Sequence, residues 1–108
     1  MRRMPNRGIF YALRKYKDAV ITGDIGCYSL GILPPLNATD TLICMGAGIS
    51  AGIGFEKAFA QANRDTKVFG VMGDSTFFHS GITSLIDAVY NSSKLAVIIL
   101  DNRTTAMT

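Results

Sequence analysis

Val68-Phe69-Gly70-Val71-Met72-Gly73-Asp74-Ser75 decides the fold of this chain, together with Leu95-Ala96-Val97-Ile98-Ile99-Leu100-Asp101-Asn102. In each stretch a short, wholly apolar run stops at a polar loop. Runs that are apolar throughout, and not only at alternate positions, suit strands buried on both faces of a parallel sheet. Two such strands deliver Asp74 and Asn102 to the same edge. That edge is where open α/β sheets bind ligands. Asp74 and Asn102 offer hard oxygen donors, suited to Mg²⁺ holding a phosphorylated cofactor.

Outward from this pair the chain alternates regularly. Residues 78–91 read as a helix, because Ile82, Leu85, Ile86, Val89 and Tyr90 recur at i, i+3, i+4, i+7 and i+8, a one-sided pattern. Asn91-Ser92-Ser93-Lys94 turns into the strand at Leu95. Asn63-Arg64-Asp65 is a polar turn behind a helix expected over 49–62. Before that helix, a strand over Thr41 to Met45 is broken by Gly46-Ala47-Gly48. Pro34-Pro35 bars helix from the loop 31–37. Ala19-Val20-Ile21 is the first strand, ending in Gly23-Asp24-Ile25-Gly26-Cys27-Tyr28, and a helix over 8–17 precedes it with Ile9, Leu13 and Tyr16 on one stripe. The expected fold class is α/β, a mainly parallel sheet of about four strands with flanking helices.

The 108 residues hold at most one domain, and a doubly wound sheet is usually longer. Residues 1–108 are therefore expected to be a partial, truncated domain whose C-terminal part is missing. The net charge of +3 comes largely from Arg2, Arg3, Arg7, Arg14, Lys15 and Lys17, which meet no acid. A basic leader can signal nucleic acid or a membrane surface. No nucleic-acid-binding motif accompanies it, so a solvated helix face or a surface that meets a neighbour is the expectation. No apolar segment of a secretory signal follows Met1-Arg2-Arg3, and no apolar run approaches the roughly 20 residues of a membrane helix. Cys27 and Cys44 form no CxxC, and Cys44 is expected to be a buried small hydrophobe. Reduced thiols and a cytoplasmic setting follow.

Gly23-Asp24-Ile25-Gly26, Gly46-Ala47-Gly48, Gly73-Asp74-Ser75 and Asp101-Asn102 all follow strands, so a parallel sheet gathers them along one crevice. Any one of them alone is an ordinary turn or cap; four together point to a site. A second reading is a dinucleotide fold, because Gly46-x-Gly48-x-x-Ala51 fits that fingerprint, with Asp74 as the acid after the next strand. That fingerprint normally lies in the first βα unit, and this reading leaves Asp101-Asn102 without a role.

Gly73-Asp74-Ser75, separated from Asp101-Asn102 by 25 residues, resembles the thiamine diphosphate motif, in which a GDG or GDS precedes an NN or DN pair. Longer stretches are similar to the large (alpha) subunits of the indolepyruvate ferredoxin oxidoreductase family. They are Gly23-Asp24-Ile25-Gly26-Cys27-Tyr28, Pro34-Pro35-Leu36-Asn37, Ile43-Cys44-Met45-Gly46-Ala47, the run from Gly73 to Gly81, and the run from Leu100 to Thr108. The resemblance covers nearly the whole chain, but only most of the diphosphate-binding domain of such a subunit.

The resemblance implies that Asp74 and Asn102 bind Mg²⁺ through side-chain oxygens and Thr104 through its backbone carbonyl. It also implies that Gly73, Ser75 and Thr76 let backbone approach the phosphates, with a helix start after Ser75. Met45, Gly46 and Ala47 would lie against the pyrimidine end of the cofactor. Asp24, Gly26, Cys27 and Tyr28 would border the pocket. His79, the single histidine, is either a proton donor or substrate ligand, or a polar residue packed near the chemistry. Phe77 and Phe78 either shape an aryl pocket or pack in a core.

The implied reaction is oxidative decarboxylation of an arylpyruvate. In the implied chemistry the cofactor, as its thiazolium ylid, would supply the nucleophile for the keto carbon and the electron sink as carbon dioxide leaves. Iron–sulfur clusters then carry electrons to ferredoxin, and coenzyme A takes the acyl group. The glutamate that activates the cofactor is expected on a separate pyrimidine-binding domain, and the iron–sulfur clusters in other parts of the complete enzyme with its second subunit. Met4-Pro5-Asn6-Arg7 resembles a family CPHR stretch without its cysteine or histidine. The chain alone is thus expected to be inactive. A non-oxidative thiamine diphosphate-dependent decarboxylase and a non-catalytic assembly fragment are the remaining alternatives.

Overall fold

The computed structural model describes residues 6–103. Strands β1 (Ala19–Gly23), β2 (Thr41–Leu42), β3 (Lys67–Gly73) and β4 (Ala96–Leu100) form one sheet in the order β2-β1-β3-β4. Every pairing is parallel, so the expected α/β architecture is present. In the central pair the register aligns Val20 with Val68 and Thr22 with Gly70. Beside it, Gly73 aligns with Leu100, which sets the residues after β3 and β4 side by side.

Alternation along the strands divides the core. On one face, Ile21, Val71 and Leu100 meet Phe10 and Leu13 of helix α1 (Arg7–Leu13) and Tyr28, Leu36 and Ala38 of the segment between β1 and β2. On the other, helix α2 (Ala47–Gln61) lies directly on β3 and β1. Close approach explains Gly48 here: a Cβ would sit 2.7 Å from the Val71 carbonyl oxygen, a backbone atom that cannot yield. The buried Thr22 hydroxyl donates to the Gly48 carbonyl at 2.7 Å and fixes the start of α2 over β1. Beyond α2 lies α4 (Ile82–Tyr90), joined to it by the Ser50–Ser84 hydroxyl pair at 2.6 Å and by Lys57 Nζ donating to the Asn91 carbonyl.

Several elements differ from the sequence expectation. Helix α1 stops at Leu13 and not at residue 17, because Lys15 and Tyr16 N–H groups donate three residues back and tighten the last turn. Tyr16 then turns its ring toward Phe69, with centroids 5.2 Å apart. Strand β2 is two residues long where five were expected, since the chain peels off the sheet edge after Leu42 and turns at Cys44, whose carbonyl accepts from Ala47 N–H. Cys44 is consequently exposed and not buried.

The helix after β3 begins at Asp74, earlier than the expected residue 78. It runs as a single α turn, α3 (Asp74–Thr76), through a π turn (Phe77–Gly81) into α4. The turn packs tightly at Gly81, where a Cβ would collide with Met72 Sδ. The one-sided apolar pattern of α4 is real but faces outward: Ile86, Val89 and Tyr90 are 63%, 74% and 86% exposed. With Ile82 and Leu85 they line an open apolar hollow of about 560 Å³.

Candidate functional site

Because all strands are parallel, the loops after them share one edge. The chain leaves β1 toward β2 on one side and leaves β3 toward β4 on the other. The crevice of such a sheet opens where the connections diverge, here between the ends of β1 and β3. Gly23-Asp24 and Gly73-Asp74 flank it.

Asp74 follows the extended Gly73 (φ −77°, ψ 156°) as the first residue of the helix. Its Oδ1 is buried and has no hydrogen-bond partner. A buried carboxylate oxygen without a donor is costly unless a cation or another donor meets it, so this atom suits a divalent metal. Asn102, half-buried, lies two residues beyond Leu100, the register partner of Gly73. Asp101 is exposed and is occupied in its own turn: Oδ1 accepts from Arg103 N–H at 2.9 Å, and Oδ2 lies 3.8 Å from Arg103 Nε. Within the acidic–amide pair, Asp101 closes the turn. Thr104, the expected carbonyl ligand, lies outside the described residues. Among the described residues, no three His, Cys, Asp or Glu side chains converge as a metal centre.

Asp24 is completely buried. Its Oδ1 accepts from the N–H groups of Ile25 at 2.8 Å and Gly46 at 2.9 Å, and Oδ2 also accepts from Gly46 at 2.9 Å. Burial raises its pKa above the ordinary value, while those N–H groups and the nearby His79 oppose the rise. Gly46 has φ +95°, a left-handed conformation that glycine takes at no steric cost. Its N–H is thereby directed at Asp24, and a Cβ there would meet Ser80 Oγ at 2.7 Å. The loop Met45-Gly46-Ala47 is thus wedged between Asp24 and the π turn, with Met45 exposed beside it.

Gly26 is extended and buried, and Cys27, at the start of a short 3₁₀ helix (Cys27–Ile32), is exposed. Ser29 Oγ accepts from Gly26 N–H at 2.7 Å and donates to the Asp24 carbonyl at 3.0 Å. Tyr28 is buried, and its hydroxyl accepts from Gly73 N–H at 2.9 Å. Desolvation first, then the charges of Asp24 and Asp74, push the Tyr28 phenol up to about 12, against the pull of the Gly73 N–H. Thr76 is fully buried behind the Gly73-Asp74 loop, Ser75 is half-buried, and His79 is exposed on the π turn.

The structure therefore brings Asp24, Gly26, Gly46, Ala47, Gly73, Asp74, Ser75, Thr76 and Asn102 to one edge, with His79 near enough to act electrostatically on Asp24. Sequence reasoning did not find the Tyr28–Gly73 or Ser29–Gly26 bonds or the Ser80 contact. Tyrosine carries no spacing signal for a backbone contact 45 residues away, whereas Ser29, three residues after Gly26, stands at capping distance and could have been found.

Residues 24–108 match the family model described as "Thiamine pyrophosphate enzyme, C-terminal TPP binding domain". The chain is 44% identical over 96% of its length to the indolepyruvate oxidoreductase subunit IorA of Methanothermobacter thermautotrophicus, covering 17% of that protein. The subunits of the same name from Pyrococcus abyssi and Archaeoglobus fulgidus are each 44% identical over 96% of the chain, which covers 18% and 16% of them. The chain thus spans about one sixth of the length of these relatives. No solved structure matches it significantly.

Proposed function

Given that the chain belongs to the C-terminal thiamine pyrophosphate (thiamine diphosphate)-binding domain family of thiamine pyrophosphate enzymes, we propose that it binds thiamine diphosphate with Mg²⁺ as part of a 2-oxoacid:ferredoxin oxidoreductase. The substrate would be indolepyruvate or a related arylpyruvate and the product an acyl-CoA. The observation that carries this reading is the buried, partnerless Oδ1 of Asp74 at the sheet edge it shares with Asn102. Likeness to subunits named indolepyruvate oxidoreductase supports the substrate class.

Asp74 and Asn102 would hold the metal through hard oxygen donors, with the Thr104 carbonyl as a third ligand. Gly73, Ser75 and Thr76 would give the phosphates close access to backbone. Met45, Gly46 and Ala47 would border the far end of the cofactor, and Asp24, Gly26 and Cys27 the pocket beside it. His79 would meet the substrate or exchange a proton with it. The bound cofactor would supply the electron sink for decarboxylation. Its activating carboxylate would come from a pyrimidine-binding domain, and ferredoxin, coenzyme A and the iron–sulfur clusters would act with the second subunit in the complete enzyme. The setting would be cytoplasmic. No helix among the described residues is long and apolar enough to cross a membrane.

Titration calorimetry tests the binding reading. Heat with thiamine diphosphate that requires Mg²⁺ and disappears in Asp74→Ala is expected. Heat with NAD in its place would overturn the proposal in favour of a dinucleotide site. For the complete enzyme, reduction of a viologen dye by an arylpyruvate and coenzyme A is expected; decarboxylation without dye reduction would instead make it a non-oxidative decarboxylase.

A further inference from the structure

The loop after β1 grips both loops that flank it. Through Asp24 it holds the Gly46 N–H with both carboxylate oxygens. Through Tyr28 it holds the Gly73 N–H, the residue that immediately precedes Asp74. The two anchoring groups are themselves tied together. Ser29 Oγ donates to the Asp24 carbonyl and accepts from Gly26 N–H, while the Tyr28 hydroxyl lies 3.4 Å from the Ile25 carbonyl. Asp24 is 0% and Tyr28 2% exposed, so neither is replaced by water at its contact.

We propose that Asp24 and Tyr28 are positioning residues that fix the spacing between the cofactor loop at Gly46 and the metal loop at Gly73-Asp74. This rests on the metal and diphosphate reading above, and it goes further in assigning Asp24 and Tyr28 a task distinct from touching the cofactor. Both Asp24 oxygens already accept backbone N–H groups, and its side chain has no exposed surface. The phenol of Tyr28 is spent on a backbone amide one residue from the metal ligand. A buried N–H deprived of its acceptor is costly, so each loop would shift or loosen if its anchor were removed.

Each anchor has a conservative and a disruptive change. Tyr28→Phe keeps the ring and removes the acceptor of Gly73 N–H, together with the long contact to the Ile25 carbonyl. Asp24→Ala removes the acceptors of Ile25 and Gly46, whereas Asp24→Asn retains Oδ1, which alone accepts from both. Amide hydrogen exchange on the 108-residue chain reads the tethers directly, without cofactor. In Tyr28→Phe, exchange should rise roughly tenfold at Gly73 to Ser75 and stay unchanged at Gly46 and in the interior of β3. In Asp24→Ala the rise should fall on Ile25, Gly46 and Ala47, and Asp24→Asn, which keeps Oδ1 but sets an NH2 against Gly46 N–H in place of Oδ2, should restore protection at Ile25 more than at Gly46. Mg²⁺-dependent binding of thiamine diphosphate should weaken about tenfold in Tyr28→Phe and Asp24→Ala, and less in Asp24→Asn.

Uniform acceleration across the whole sheet in both disruptive variants would show a merely structural role and overturn the proposal. So would unchanged exchange at Gly73 and Gly46. If wild type shows no Mg²⁺-dependent thiamine diphosphate binding, the functional reading fails while the exchange pattern still decides the tethers. If Asp24→Ala does not fold, Tyr28→Phe and Asp24→Asn still decide the matter.

Discussion

Tyr28 shows how one side chain carries a pH signature. Its phenol ionises near 12 in the fold and near 10 when unfolded, because burial and the two aspartates disfavour the phenolate. The folded state therefore holds the proton more tightly over that interval. Its stabilising contribution is complete below pH 10 and is lost as pH rises toward 12, about 2–3 kcal/mol in all. Urea unfolding at pH 9 and pH 11.5 should show a steeper loss for wild type than for Tyr28→Phe. Equal slopes would mean that the hydroxyl is hydrated in the fold. Asp24 is perturbed in the same upward direction, again chiefly by burial. A carboxylate kept buried at neutral pH is justified by what it holds in place more than by what it adds to stability.

Among the elements, α2 is held closest to the sheet. The Cβ position of Gly48 is filled by the Val71 carbonyl, and that of Gly52 lies 2.8 Å from a Leu95 methyl and 3.0 Å from Thr22 Oγ1. Gly48→Ala would lift the start of α2, and with it Gly46, away from β3. A loss of about 3 kcal/mol is expected in chemical unfolding, against a gain of about 0.5–1 kcal/mol for Gly54→Ala at an open, exposed helix position.

The strands and α2 were legible because apolar runs of strand length and glycine breaks have direct local causes. Strand β2 was legible only in part: its apolar composition reads like that of an inner strand, but it lies on the sheet edge and ends at Leu42. The π turn was not legible, since its cause is the packing of Gly81 on Met72 from another element. The loops of the site were legible as glycine and acid clusters; the bonds joining them were not, because partners such as Tyr28 and Gly73 stand 45 residues apart.

At the scale of the molecule, the two sides of the sheet are finished differently. The α1 side closes over Phe10, Leu13, Tyr28 and Leu36. Beyond α2, the outer face of α4 leaves Ile86, Val89 and Tyr90 largely in solvent, and Phe78 on the π turn is 76% exposed. Contiguous apolar patches promote association. Sedimentation of the chain should show self-association at high concentration that Ile86→Lys with Val89→Lys reduces, with thermal stability changed by less than about 1 kcal/mol because both side chains lose little contact. A monodisperse wild-type chain at millimolar concentration would count against this.

The bond from Tyr28 to Gly73 also bears on how such a domain can be inherited. A crossover between two related genes anywhere within residues 29–72 would take the hydroxyl from one parent and the amide it holds from the other. Every such hybrid would have to rematch two distant loops at once. Breakpoints outside residues 24–74 would keep that match and the Asp24–Gly46 match intact. The segment from Asp24 to Asp74 is in this sense the smallest heritable block of these two tethers, and loop swaps designed on such domains have to respect it.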